Sequence, residues 1–294
     1  MSYWPDTARK DLHNKLKILD RKVIMKYKAI ALDLDGTLLN SKKEISKRNK
    51  EVIMKAAKAG VVIILASGRP IPGVKKIANQ LHLQEVGGYI LSYNGGMIIN
   101  CKTGEVIRKE TIPEKYYADI VHCANKFNVA TLTYDADGII TNDENDKYVH
   151  IESKINNIPI RQVFHLEEEA QLDPPVKFLC TGEHKELKRV QAKLEEKLKG
   201  AVNVFFSEPF FLEITPQGIE KASSLEILLS SLGIDRKNLI ACGDGYNDIP
   251  MMRYAGLAVA MENAQDETKE WADYIAPSND EDGVAVAIEK FIKE

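Results

Sequence analysis

A chain of 294 residues can bury a sizeable core as one large or two medium domains. Its 40 Lys and Arg against 43 Asp and Glu leave a formal charge of −3, which gives no broad attraction to nucleic acid or a membrane surface. No apolar run of ~18 residues occurs, so a membrane-spanning helix and an ion-pumping function are excluded, and the four cysteines contain no Cys-x-x-Cys pair, so structural zinc and a disulfide framework are unexpected and a reducing cytoplasm is expected.

Residues 1–25 stand apart as an N-terminal extension rich in Lys and Arg, with no apolar core of a secretory signal. Leu12, Leu16, Leu19 and Val23 recur at helical spacing. A basic amphipathic helix of this kind can dock on a partner or a membrane surface. Two plainer readings are preferred: a helix packed on its own domain, or a true start at Met25-Lys26-Tyr27-Lys28, which leads directly into the first strand.

The apolar run 29–32 reads as a short buried strand, ended by Asp33-Leu34-Asp35-Gly36-Thr37. Gly36 stops the strand, which leaves both acids on the loop at its C-terminal edge, where open parallel sheets bind ligands. A helix is predicted over 46–59 with Gly60 as its stop. A strand over 61–66 follows and ends in Ser67-Gly68-Arg69. A helix over 72–81 and a strand over 89–91 complete a βαβαβ order, which predicts a parallel sheet with right-handed crossovers.

Between 97 and 211 the pattern changes. The segments 97–100 and 105–109 flank Lys102-Thr103-Gly104, and 131–134 and 139–141 flank Asp135-Ala136-Asp137-Gly138, both hairpin signals. Helices are predicted over 114–127 and 185–198, and strands over 202–206 and 211–214. Hairpins with helices suggest an α+β insert on an antiparallel sheet. A second βα block then follows: a helix over 222–232 preceded by Lys221, a strand over 239–242 ending in Gly243-Asp244-Gly245-Tyr246-Asn247-Asp248, a helix over 248–255, a strand over 257–260 and a last helix over 283–292.

Taken singly, each polar residue at these strand ends has an ordinary explanation. Asp33 and Asp35 fit a solvated turn, Ser67 a helix N-cap, Lys221 a surface lysine, and Asp244 and Asp248 a polar loop capping a helix. Their coincidence at several strand ends is not explained this way. Carboxylates, a fixed cation and a small hydroxyl are the parts that phosphoryl transfer through a metal uses. Hard oxygen ligands with no His or Cys nearby favour Mg²⁺ over zinc. None of the six histidines pairs with a Ser or Cys in a nucleophile motif, which argues against a serine or cysteine hydrolase.

These four segments resemble the motifs of the haloacid dehalogenase superfamily, in particular its Cof-like sugar-phosphate phosphatases. Asp33-x-Asp35-Gly-Thr-Leu is similar to the first motif, Ser67-Gly-Arg to the second, Lys221 to the third and Gly-Asp244-Gly-Tyr-Asn247-Asp248 to the fourth. Tyr93-Asn94-Gly95-Gly96 is similar to the turn where that family leaves its core. The match runs from about Met25 to the C-terminus, with one departure, Ala222 where the family has Gly.

The resemblance implies an α/β fold, a Rossmann-like parallel sheet core over 26–96 and 212–294, with an α+β cap inserted over 97–211. It implies hydrolysis of a small phosphate monoester, a sugar phosphate in the first instance, through an aspartyl-phosphate on Asp33. Asp35 is then the general acid and base, and Ser67, Lys221 and Asn247 hold the phosphoryl oxygens. Mg²⁺ is expected on the Asp33 side chain, the Asp35 carbonyl and Asp244, with Asp248 nearby, acting through water or by orienting a neighbour. Arg69 and Asn94 are expected to hold loops only. Substrate choice is expected in the cap, with 134–138 and 205–210 as candidate contacts. Competing readings are a phosphomannomutase-like phosphotransferase, a dehalogenase, and a non-catalytic phosphosugar-binding protein; the paired Asp33 and Asp35 argue against the last.

Overall fold

The computed structural model describes residues 26–292, so the extension over 1–25 lies outside the described residues. Strand β1 (Ala29–Leu32) is buried along its whole length. Its side chains alternate between two cores. Ile30 and Leu32 pack with Ile53, Val74 and Ile288 on one face, while Ala29 and Ala31 pack with Leu225, Leu228 and Met251 on the other. A strand apolar on both faces belongs inside a parallel sheet covered on two sides.

Strands β2 (Val62–Ala66) and β3 (Tyr89–Ser92) continue the parallel order, and the antiparallel hairpin β4 (Met97–Asn100) and β5 (Val106–Lys109) extends the same sheet. The insert carries β6 (Ala130–Tyr134), β7 (Ile139–Thr141), β8 (Ile160–Gln162), β9 (Phe178–Thr181), β10 (Val202–Glu208) and β11 (Phe211–Pro216). The chain then returns with β12 (Leu239–Gly243), β13 (Leu257–Met261) and β14 (Tyr274–Ala276). The core sheet has the order β14-β13-β12-β1-β2-β3-β4-β5, and the insert sheet the order β10-β11-β9-β6-β7-β8.

Both expected boundaries of the insert shift. Hairpin 97–109, placed in the cap from its turn chemistry, is part of the core sheet, because Met97 to Asn100 pair with Ser92 to Tyr89. Residues 212–216, placed in the core, complete β11 in the insert sheet, where Phe211 to Ile214 pair with Thr181 to Phe178. A hairpin signal fixes a turn and not the sheet that the hairpin joins.

Helices Lys47–Lys58, Ile71–Gln80 and Gly283–Phe291 cover one face of the core sheet, and Lys221–Ser231 with Ile249–Tyr254 covers the other. Ser46 caps the first of these by accepting the Asn49 N–H, as its position before the apolar stripe predicts. In the insert, helices Tyr117–Asn125, Leu166–Leu172 and His184–Leu198 pack on one sheet face through Val121, Leu166, Val190 and Phe178. The other face, carrying Leu132, Tyr134, Leu179 and Phe211, turns toward the core. Helix Lys147–Asn156 joins that side.

The insert leaves and returns at neighbouring points. The Glu110 N–H donates to the Gly96 carbonyl at 2.9 Å. The adjacent Gly95 carbonyl accepts the Ser224 hydroxyl at 2.6 Å, from the first turns of helix Lys221–Ser231. Gly95 is required there: its φ is +101°, and a Cβ would lie 2.8 Å from the Glu220 carbonyl oxygen. Among the described residues no helix is long and apolar enough to cross a membrane.

Candidate active site

The C-terminal ends of β1, β2 and β12 converge with the start of helix Lys221–Ser231 on one acidic pocket. Asp33 follows β1, and its N–H donates to the Cys242 carbonyl at 3.0 Å, which registers it against β12. Gly36 then turns with φ +80°, and a Cβ there would lie 2.2 Å from Asp244 Oδ2. The first loop can approach the Asp244 carboxylate this closely only because residue 36 has no side chain. Thr37 fixes the approach by donating its hydroxyl to Asp244 Oδ1 at 2.8 Å.

Lys221 lies at the centre, with its side chain fully buried. Its Nζ donates to Asp33 Oδ1 and to Asp248 Oδ1, each at 2.6 Å. The other Asp248 oxygen accepts the Asp244 and Gly245 N–H groups, each at 3.0 Å. Asp248 is therefore satisfied on both oxygens. Asp33 Oδ2 and Asp244 Oδ2 accept no hydrogen bond from the described residues and are left for a ligand.

One carboxylate oxygen each from Asp33, Asp244 and Asp248 lies within 4.8 Å of the others. Three acids against one buried cation leave an excess of negative charge. Burial, with the Asp248 charge, holds the Asp33 carboxyl well above its ordinary range despite Lys221. Burial pushes Asp244 up to about 6, with Asp248 adding to it and the Thr37 hydroxyl opposing it. Burial pulls the Lys221 ammonium down, but its two carboxylate partners outweigh this and raise it. An all-oxygen donor set under this strain of like charge fits a hard divalent cation.

Asp35 turns away from that cluster. Arg69 grips it in a fork, Nε to Oδ2 and a terminal guanidinium nitrogen to Oδ1, both at 2.6 Å, and Lys43 Nζ adds 2.7 Å to Oδ1. Burial pushes its carboxyl up, but the two cations win and lower it, so Asp35 is held as a carboxylate. The fork also corrects the expectation that Arg69 only holds its loop, since its guanidinium reaches a site carboxylate.

Ser67 is buried at the end of β2. It does not cap a helix: its hydroxyl accepts the Arg69 N–H at 3.1 Å, and helix Ile71–Gln80 begins after Pro70. The Asn94 N–H donates to the Ser67 carbonyl at 2.9 Å. The Asn247 amide in turn donates to Asn94 Oδ1 at 3.1 Å, linking the turn after β3 to the loop after β12.

Part of this site borders a cleft of about 620 Å³ between core and insert. Its floor includes Asp33, Asp35, Ser67, Asp244 and Asn247. Its ceiling includes Glu152, Asn156, Lys177, Glu213 and the hairpin tip at Phe205 and Phe206. Of the two cap segments expected near the site, 205–210 contributes lining residues and 134–138 does not. Glu152 accepts the Tyr134 hydroxyl at 2.7 Å and the Asn156 amide at 2.8 Å, and Lys177 donates to Glu213 at 3.3 Å. The sequence reading missed Thr37, Lys43 and the ceiling residues Glu152, Asn156, Lys177 and Glu213. Lys177 and Glu213 carried a usable signal: they alternate with Leu179 and Phe211 on one face of their strands.

A sequence model of the haloacid dehalogenase-like hydrolases matches residues 30–288. A crystal structure of a haloacid dehalogenase-like hydrolase from Bacteroides thetaiotaomicron superposes with a TM-score of 0.86 at 47% identity, covering 90% of this chain and 99% of that one. The 5-amino-6-(5-phospho-D-ribitylamino)uracil phosphatase YcsE of Bacillus subtilis is 32% identical over 266 residues, 90% of this chain and 96% of its own. The phosphoglycolate phosphatase of Methanobrevibacter smithii is 31% identical over 274 residues, 91% of this chain and all of its own.

Proposed function

Since the chain belongs to the haloacid dehalogenase-like hydrolase family and is a phosphatase of its Cof-like branch, we propose that it hydrolyses a small polyhydroxylated phosphate monoester, a sugar or polyol phosphate, through a phosphorylated Asp33. The observation that carries this reading is the convergence of Asp33, Lys221, Asp244 and Asp248, with three carboxylate oxygens within 4.8 Å and one buried ammonium between two of the acids.

Asp33 Oδ2 attacks phosphorus and the ester P–O bond breaks. The leaving alkoxide takes up a proton, which we assign to Asp35. To do so Asp35 parts from Arg69 and Lys43, after which burial raises its proton affinity. In the second step water attacks the aspartyl-phosphate, Asp35 takes the water proton, and phosphate leaves with Asp33 restored. The carboxylate form that Arg69 and Lys43 favour at Asp35 is the one suited to that step. Ser67, Lys221 and Asn247 hold the non-bridging oxygens, with Lys221 neutralising charge that the transferring group spreads over them.

Asp33 and Asp244, with the Asp35 carbonyl, would hold Mg²⁺, and Asp248 would orient Lys221 and the 244–245 turn. The ion would supply charge neutralisation at the phosphoryl oxygens. Without it a phosphate dianion would meet uncompensated carboxylates, at a cost on the order of 4 kcal/mol for each like pair ~4 Å apart at an effective dielectric near 20.

The insert acts as a cap that selects the leaving group. Its ceiling offers acceptor oxygens on Glu152, Glu213 and Asn156 beside the Lys177 donor, a pattern matched to hydroxyls, which both donate and accept. The ribityl chain named for the Bacillus relative's substrate is such a group.

The test is phosphate release from a panel of phosphorylated metabolites with Mg²⁺. Sugar and polyol phosphates should lead, and Asp33→Asn should release none. Equal inactivity of the two proteins across the panel would overturn the proposal.

A further inference from the structure

We propose that the seam between helices Ile71–Gln80 and Lys147–Asn156 is a second anion site, adjoining the catalytic cleft and sharing Arg69, Ile155 and Asn156 with it, that takes an organic phosphate or pyrophosphate. The two helices, one from the core and one from the insert, enclose a cavity of about 540 Å³. Four cations line it, Lys43, Arg69, Lys76 and Lys154, and no Asp or Glu does. Asp35, at the edge between this cavity and the cleft, is the counter-ion of Lys43 and Arg69 together.

Lys76 and Lys154 have no carboxylate partner among the described residues. Lys76 donates to the Asn157 carbonyl, just past the end of the insert helix. A helix C-terminus carries about half a negative unit charge, which is less than the two ammonium groups facing it. Four positive charges against Asp35 and that dipole leave roughly two and a half in excess. A phosphate dianion or pyrophosphate matches that excess, whereas a single carboxylate does not.

The cavity also has an apolar side. Ile151 is 37% exposed and Ile155 44% exposed, and both line it. An organic phosphate would place its charged end at Lys76 and Lys154 and its carbon part over these two side chains. Because its contacts come from both core and insert, such a ligand would bind best when the insert stands over the cleft, and would favour that arrangement.

The experiment is calorimetric titration of the metal-free full chain with inorganic pyrophosphate, where the acidic cleft repels the probe. Saturable binding of one equivalent is expected, weakening as NaCl rises. Lys76→Gln with Lys154→Gln should reduce the affinity at least tenfold, and Ser67→Ala in the cleft should leave it within twofold. Both lysines are exposed, and Lys154→Gln alone provides a milder variant with a smaller loss. Absence of saturable binding, unchanged affinity in the lysine variants, or loss through Ser67→Ala would overturn the assignment. The measurement requires no turnover, so its failure is separate from any failure of the phosphatase reading.

Discussion

Lys221 and Asp33 form a buried ion pair at 2.6 Å, although 188 positions separate them in the chain. The same ammonium holds Asp248 at the same distance. Removing one partner of a buried pair leaves charge uncompensated, at a cost of about 3–5 kcal/mol. Lys221→Met should therefore lower unfolding free energy by that order, read from urea denaturation, and should abolish phosphate release. Adding Asp248→Asn should return part of the stability and none of the activity.

Asp33→Asn keeps the shape of the side chain and removes the proposed nucleophile. Turnover should fall by a factor on the order of 10⁴ or more, with the far-ultraviolet circular dichroism unchanged. A residual rate within tenfold of wild type would assign the attack to another group.

Mg²⁺ should both activate and stabilise. Chelation should end phosphate release, and added Mg²⁺ should restore it. At a hundred times its dissociation constant the ion should stabilise the fold by about 2.7 kcal/mol. Asp244→Asn should lose most of this thermal shift, whereas Asp35→Asn should keep much of it, because the Asp35 side chain points to Arg69 and Lys43.

Gly36→Ala should act through both backbone and neighbour. The left-handed φ of +80° costs a non-glycine residue about 1–2 kcal/mol. The added methyl would also displace the Asp244 carboxylate, 2.2 Å from its place. The Mg²⁺ concentration for half-maximal activity should rise at least tenfold.

Asp135 gives a pH dependence away from the cleft. Burial pushes its carboxyl up, but the Gly138 and Asp137 N–H groups and Arg161 outweigh this and lower it. A lowered folded value stabilises above the unfolded value near 3.9 and is lost as pH falls through the folded one. Asp135→Asn should destabilise by about 1 kcal/mol at neutral pH. The difference from wild type should shrink progressively as pH falls below about 3.9.

The core and the polar residues at its strand ends were legible because local rules placed them. An apolar run ended by Gly puts Asp33 and Asp35 at a strand edge, and the same logic marks Ser67 and Asp244. The geometry among them was less legible. Nothing near Thr37 in sequence signals that its hydroxyl would meet Asp244, and the Arg69 fork on Asp35 depends on how two loops cross. In the insert, helix Lys147–Asn156 was missed because its inward residues include the polar Glu152 and Asn156, which break the apolar stripe that marks a buried helix face. Strand β8 has mostly exposed residues and therefore no alternation to detect.

The stitch between Gly95 and Ser224, with Glu110 tied to Gly96, brings the two ends of the insert side by side. A segment whose ends nearly touch can be exchanged for another without re-threading the host. Recombination at this doorway could then graft on a new specificity in one event, while the acids and the lysine beneath keep their chemistry intact.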